Sequence, residues 1–211
     1  MRTDVVAAVL VSAIGLAGCS SAESPEPAGR PAPPPPVAPP APVNPPAPVA
    51  PPPPVALDTS PVLEEIQQRG TLLVGVRADA PGFAARDGAG GYRGFDVEIA
   101  KLLARGIGLN PDTQVSYRML PPTLRADALA GGSVDLQVGG IEPGSPGFTA
   151  IGPYAITGDG AELYLAVRSG DDVLVERLTE VLDRAVRDGG WQRAYDTTLA
   201  PAGVRAHPAP R

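Results

Sequence analysis

Thr71-Leu-Leu-Val-Gly-Val76, followed after a loop by Gly94-Phe-Asp-Val-Glu-Ile-Ala100, is the stretch whose reading decides the fold. A mostly apolar run of this length, bounded by turn residues, suits a strand buried on both faces. In the next segment Ile99, Leu102 and Leu103 recur on one helical face, so a helix opens at Gly94 and Asp96 and runs through Ile107. Asp96 is the expected N-cap. The same alternation continues outward on both sides. Leu63 to Gln68 reads as a short helix ended by Gly70, and Val115, Tyr117 and Met119 alternate as a second strand. Leu124 to Ala130 reads as a helix stopped by Gly131-Gly132. Val134-Asp-Leu-Gln-Val138 and Ala161 to Val167 follow as two more strands. Val173 to Val186 carries Leu174, Leu178, Val181, Leu182 and Ala185 at helical spacing up to Gly189-Gly190. Trp191, Tyr195 and Leu199 then form the core-anchoring face of a last helix. Strands alternating with helices predict an α/β fold, a mainly parallel sheet flanked by helices. In such sheets ligands bind at the carboxyl edge of the strands.

The first part of the chain has a different character. Arg2 precedes an uncharged apolar run, Val5 to Leu16. That run falls short of the about 20 residues a membrane-spanning helix needs. It ends in Leu16-Ala-Gly-Cys19, which matches the bacterial lipobox, so residues 1–19 are expected to be a lipoprotein signal peptide with Cys19 as the lipidation site. Residues 20–56 are almost entirely Pro, Ala and Val, with Pro33 to Pro36 and Pro51 to Pro54 as uninterrupted proline runs. Such a segment is expected to be a disordered polyproline II tether, ~30 residues of which reach about 90 Å. A PxxP docking ligand is the alternative use of the same composition. Residues 57–200 then hold one domain, and 201–211 read as a disordered tail.

Composition narrows the function. Cys19 is the only cysteine, so the chain has neither a disulfide framework nor a cysteine metal site. The only histidine, His207, lies in the Pro/Ala-rich tail, which argues against a Ser-His or Cys-His catalytic pair. A net charge of −6 without a basic patch argues against nucleic acid. No cofactor or metal is expected. Membrane contact is expected through the N-terminal lipid, on the extracytoplasmic face of the cell membrane.

Several loops carry a family resemblance. Arg69-Gly-Thr-Leu-Leu-Val-Gly-Val-Arg-Ala-Asp79, Pro81-Gly-Phe83 and Gly94 to Ala100 resemble the opening of family 3 extracellular solute-binding proteins. Arg125-Ala-Asp-Ala-Leu129, Gly132-Ser-Val-Asp-Leu136, Gly139-Gly140, Pro153-Tyr154, Leu163 to Val167 and Asp188 to Tyr195 follow in family order. With its proline-rich leader the chain is similar to actinobacterial glutamine-binding lipoproteins. The resemblance implies a periplasmic-binding-protein-like (type 2) fold and binding of polar amino acids for an ABC importer.

The chain also departs from that pattern. Family members are two-lobed, yet here Pro153-Tyr154 is followed almost at once by the return segment Leu163 to Val167. The second lobe is expected to be missing, leaving a single lobe with Thr157-Gly-Asp-Gly160 as a tight replacement turn. The family's carboxylate-clamping Arg is absent from Gly140-Ile-Glu-Pro-Gly-Ser-Pro-Gly147, and Glu142 stands in the usual Thr position. Pro121-Pro122 replaces a stacking aromatic. The amine half of the site persists in this reading and the carboxylate half is lost.

Each candidate has two roles. By resemblance Asp79 pairs with a ligand ammonium group; it also suits a turn cap. Phe83 serves as a ligand platform or as packing. Glu142 is a solvated loop acid or a site residue favouring a cationic ligand. Arg125 either matches a recurrent family position or pairs with Asp127 or Asp135. Gly139 and Gly140 permit close approach of a ligand or of a packing element. The expected function is therefore weak or vestigial binding of a small polar amino acid or amine. The alternative is a tethered envelope scaffold that docks on an ABC permease or a membrane sensor. Enzyme relatives with this fold use a cleft closed between two lobes, so no enzyme activity is expected.

Overall fold

A computed structural model describes residues 59–78 and 80–210. Cys19, the segments 1–19 and 20–56, and Asp79 lie outside the described residues.

Helix α1, Pro61–Arg69, begins at Ser60, whose hydroxyl accepts the Leu63 amide, and ends on Gly70. Ser60 also donates to the Asp171 carboxylate at 2.7 Å, and that carboxylate accepts the Val62 amide at 3.1 Å. Asp171 is in turn the N-cap of α4, Asp172–Arg187, accepting the Leu174 amide at 2.9 Å. One buried carboxylate therefore caps α4 and clamps the start of α1 beside it.

Strand β1, Leu72–Arg77, is central to one half of the sheet. It pairs in parallel with β4, Val115–Leu120, and with β5, Leu136–Val138. The other half is antiparallel: β7, Glu162–Arg168, pairs with β5, and β6, Phe148–Thr157, pairs with β7. Strand β8, Ala206–His207, closes that edge on β6. The order is β4-β1-β5-β7-β6-β8, so the α/β sheet is mixed, with its parallel strands at the end that carries β1. A separate small hairpin joins β2, Ala85–Arg86, to β3, Tyr92–Arg93.

Helices cover both faces. On one, α1, α2 (Phe95–Gly106), α4 and α5 (Gly190–Thr198) pack over the larger core. Leu72, Val74 and Val76 of β1 meet Ile99, Leu103, Leu174 and Leu182 there. Phe95 is its aromatic centre, edge-on to Trp191 at 5.4 Å and stacked on Tyr154 at 6.1 Å. Trp191 stacks on Tyr195 and donates its indole N–H to the Tyr154 carbonyl at 2.7 Å. Burial of such rings dominates the stabilisation of a small domain. On the opposite face α3, Arg125–Ala130, covers a smaller cluster of Leu129, Val134, Ile141, Phe148 and Ala166.

The expected elements are present, with three corrections. Strand β6 is not among the expected elements, and it runs straight into β7 through a turn in which the Thr157 amide donates to the Ala161 carbonyl at 2.9 Å. Residues 206–207, within the expected disordered tail, pair with Ile156 and Thr157 instead. Asp96 is not the N-cap of α2. Gly94 holds that position, and the Asp96 carboxylate turns inward.

Candidate functional site

The parallel half of the sheet places three chain features at its carboxyl edge: Arg77 closing β1, Gly139-Gly140 leaving β5, and the N-terminus of α2 with Asp96. That convergence follows from the parallel order, since parallel strands end on one side.

Asp96 is fully buried, and its carboxylate accepts from Arg77 Nε at 3.0 Å and from the Tyr154 hydroxyl at 2.6 Å. Burial pushes the Asp96 carboxyl above its usual range, while the Arg77 guanidinium and the Tyr154 hydroxyl draw it down. Tyr154 is held well above the ordinary phenol value, by burial first and then by the adjoining Asp96 charge. The pair depends on mutual satisfaction: a buried charge stripped of its partner costs about 3–5 kcal/mol.

Phe83 is only 9 % exposed. The guanidinium carbon of Arg77 sits 4.1 Å from its ring centroid, and Phe95 meets it edge-on at 6.3 Å. A cation over an aromatic face at this distance is attracted by the ring quadrupole. Phe83 is thus packed against the core and also presents an aromatic face, which Arg77 covers.

Gly139 and Gly140 have φ of 70° and 67°, in the left-handed region. A Cβ on Gly139 would lie 2.7 Å from Arg77 Nε and 2.9 Å from the Tyr154 hydroxyl, and one on Gly140 would lie 2.3 Å from Arg125 Nη1. The close approach that these glycines permit is therefore to buried side chains of the charged cluster. The corner is held by Gln137, whose side-chain amide donates to the Gly139 carbonyl at 3.0 Å.

Arg125 is 4 % exposed and donates to the Leu120 carbonyl at 3.2 Å and the Gly140 carbonyl at 3.0 Å. It ties the end of β4 to the loop after β5. Asp135, one of the two acids named as partners for Arg125, accepts instead from Arg69 and from the Leu73 amide at the far end of the sheet. Glu142 is exposed on the loop after Gly140.

Two open depressions flank Arg77. One, of about 490 Å³, is lined among others by Arg77, Arg125, Gly140, Glu142, Ser145 and Glu162. The other, of about 430 Å³, is lined by Arg77, Phe83, Thr157, Asp159, Leu163 and Arg205 among others. Both volumes lie within the range of small-molecule sites, about 300–1,000 Å³. The structure brings Arg125, Gly140 and Glu142 together in the first depression and sets Phe83 in the second. The sequence pattern alone does not mark Arg77, Asp96, Tyr154 and Glu162 as site residues. The available signal was Arg77 itself, a lone charge closing an otherwise apolar strand.

Among the described residues no group of three or more His, Cys, Asp or Glu side chains gathers to hold a metal, and no helix is long and apolar enough to cross a membrane.

Comparison with known proteins shows the family and the fold. The family model for bacterial extracellular solute-binding proteins, family 3, matches residues 72–200. The glutamate/glutamine/aspartate/asparagine-binding protein BztA of Rhodobacter capsulatus is 38 % identical over 80 residues, which are 38 % of this chain and 23 % of that protein. The general L-amino acid-binding periplasmic protein AapJ of Rhizobium johnstonii is 32 % identical over 78 residues, 37 % of this chain and 23 % of that protein. The chain thus spans about a quarter of the length of these relatives. Among solved structures, a mutant of the arginine-bound form of domain 1 from TmArgBP of T. maritima is 30 % identical with a TM-score of 0.52, covering 59 % of this chain and 98 % of that one. The solute receptor for L-cysteine of Neisseria gonorrhoeae, 19 % identical, shares the fold with a TM-score of 0.58, covering 66 % of this chain and 94 % of that one.

Proposed function

The chain belongs to family 3 of the bacterial extracellular solute-binding proteins, and on that premise we propose that its cleft captures a small polar amine-bearing solute weakly, on a single lobe. The observation that carries this reading is the charge layout of the 490 Å³ depression: Glu142 and Glu162 stand at its exposed rim, and Arg77 and Arg125 lie at its floor. Rim carboxylates suit a ligand ammonium group, and floor guanidinium groups suit a carboxylate. An amino acid presents both. By the family resemblance Asp79, which follows β1 in sequence, adds a third acid in this reading. That a solved domain 1, alone, is described as arginine-bound supports capture by one lobe.

One lobe supplies only one wall, whereas tight sites bury about 70–90 % of a ligand's surface. A millimolar dissociation constant, about −4 kcal/mol, follows. On this proposal Cys19 carries the lipid anchor, residues 20–56 are the spacer, and an ABC permease is the receiving partner. Calorimetric titration with the twenty amino acids, small amines and polyamines at millimolar concentration tests it. Saturable binding that weakens in Glu142→Gln supports the proposal.

The Arg77 guanidinium on Phe83 favours a second reading, a tethered scaffold that docks on a permease or membrane sensor without taking solute. Absence of saturation for every compound, in a folded chain, selects it.

A further inference from the structure

We infer that Arg77 is the chain's own occupant of a cation subsite, built from the Phe83 ring, the Asp96 carboxylate and the Gly139-Gly140 corner, which takes a guanidinium or primary-ammonium solute only in exchange for Arg77. This rests on reading the carboxyl edge as a solute site, but it is tested separately from capture by the native chain.

The geometry has three parts. The guanidinium carbon lies 4.1 Å from the Phe83 centroid, its Nε donates to Asp96 at 3.0 Å, and the arginine stem runs over Gly140, where an added Cβ would fall 3.1 Å from Arg77 Cδ. An aromatic face, a carboxylate and a glycine corner without side chains are the elements that receive a flat cation. Here they are filled from within, by a side chain only 11 % exposed.

Position explains why this matters for solute. Arg77 and Leu163 line both depressions, so these two side chains stand between them. With Arg77 in place, a solute amine meets Glu142 and Glu162 but is kept from Phe83. On this inference, removal of Arg77 joins the two depressions over the Phe83 ring and opens an approach to the Asp96 carboxylate, which Arg77 now covers. A tethered occupant acts at a high effective concentration, so a free cation competes poorly against it. Weak capture is then a consequence of internal occupancy as well as of the open wall.

The test is Arg77→Ala in the full chain, followed by thermal unfolding with agmatine, methylguanidine and a neutral urea isostere. At ~10 mM agmatine the melting temperature of the variant rises by about 5 °C or more beyond any rise shown by the native chain, the excess that linkage requires for a site opened only in the variant. The rise saturates, is absent with the urea isostere, and is lost when Phe83→Leu is added. Should Arg77→Ala not fold in plain buffer, Arg77→Met, which keeps the apolar stem, takes its place. A folded variant that responds to agmatine no more than the native chain overturns the inference, as does an equal response to the urea isostere. So does failure of the cations to restore a folded spectrum where neither variant folds alone. A native chain that captures no solute leaves this result unaffected and bears on the proposed function alone.

Discussion

The Asp96 carboxylate receives the Tyr154 hydroxyl at 2.6 Å on one oxygen and Arg77 Nε at 3.0 Å on the other. Helix α2 and strand β6 are joined to the end of β1 through this single buried group. Tyr154→Phe removes one acceptor bond and leaves the packing of the ring on Phe95 intact. The expected loss is about 1–3 kcal/mol, the range for a hydrogen bond to a buried charge. Urea unfolding of the variant checks it, and a change within about 0.5 kcal/mol would mean the bond is not formed.

The same carboxylate sets a pH dependence. Burial raises its folded-state pKa over the pull of Arg77 and Tyr154. A carboxyl raised on folding contributes stability that is complete below its unfolded value, about 3.9, and is lost as pH rises through the folded value. The stability of the native chain minus that of Asp96→Asn should therefore fall as pH rises from about 4, with a slope of at most about 1.4 kcal/mol per pH unit, and then level off. A difference that climbs with pH would show that attraction to Arg77 outweighs burial.

The glycine corner gives a paired comparison. Gly140 and Gly144 both have positive φ, 67° and 86°, but only Gly140 faces a side chain where a Cβ would fall; nothing lies within 4 Å at Gly144. Gly144→Ala should lose about 1–2 kcal/mol from backbone strain alone. Gly140→Ala adds overpacking against Arg125, about 1–3 kcal/mol more. Equal losses would show that Arg125 is not held over the corner.

Asp171 joins two helix starts, and its replacement should be felt at both. Asp171→Ala removes the cap of α4 and leaves the Ser60 hydroxyl and the Val62 amide without their carboxylate acceptor, with an expected loss of about 2–4 kcal/mol. Hydrogen exchange should quicken at Val62 and Leu174 together. Quickening at Leu174 alone would mean that α1 is held without this contact.

How far the sequence could be read depended on whether an element's signal was local. Helices α1, α2, α4 and α5 were legible because their apolar residues repeat at helical spacing and glycines mark their ends. Strands β1, β4 and β7 were legible as apolar or alternating runs. Strand β6 was not, because Gly152-Pro153 interrupts Phe148–Thr157 and its register on β7 shifts between Ile151 and Ala155. Strand β8 has two residues in a Pro/Ala-rich stretch, and only its pairing with β6 makes it a strand. At the site, Asp96 carried the local signature of a helix cap, yet Arg77 and Tyr154, distant in sequence, drew it inward. Arg125 was recognised by position, while its carbonyl partners on Leu120 and Gly140 depended on how β4 and β5 end. Tertiary contacts of this kind leave no periodicity behind.

The proposed solute site lies at the carboxyl edge of the parallel strands, between the Glu142 and Glu162 rim and the Arg125 floor. Amide NMR of the chain, titrated with amino acids, small amines and polyamines to tens of millimolar, locates binding residue by residue. Capture at that edge should give saturating shifts clustered at Gly140, Ile141, Glu142, Ser145 and Leu163, with little movement along α4 and α5. A well-dispersed spectrum that moves for none of these compounds, or moves only away from that edge, would contradict it.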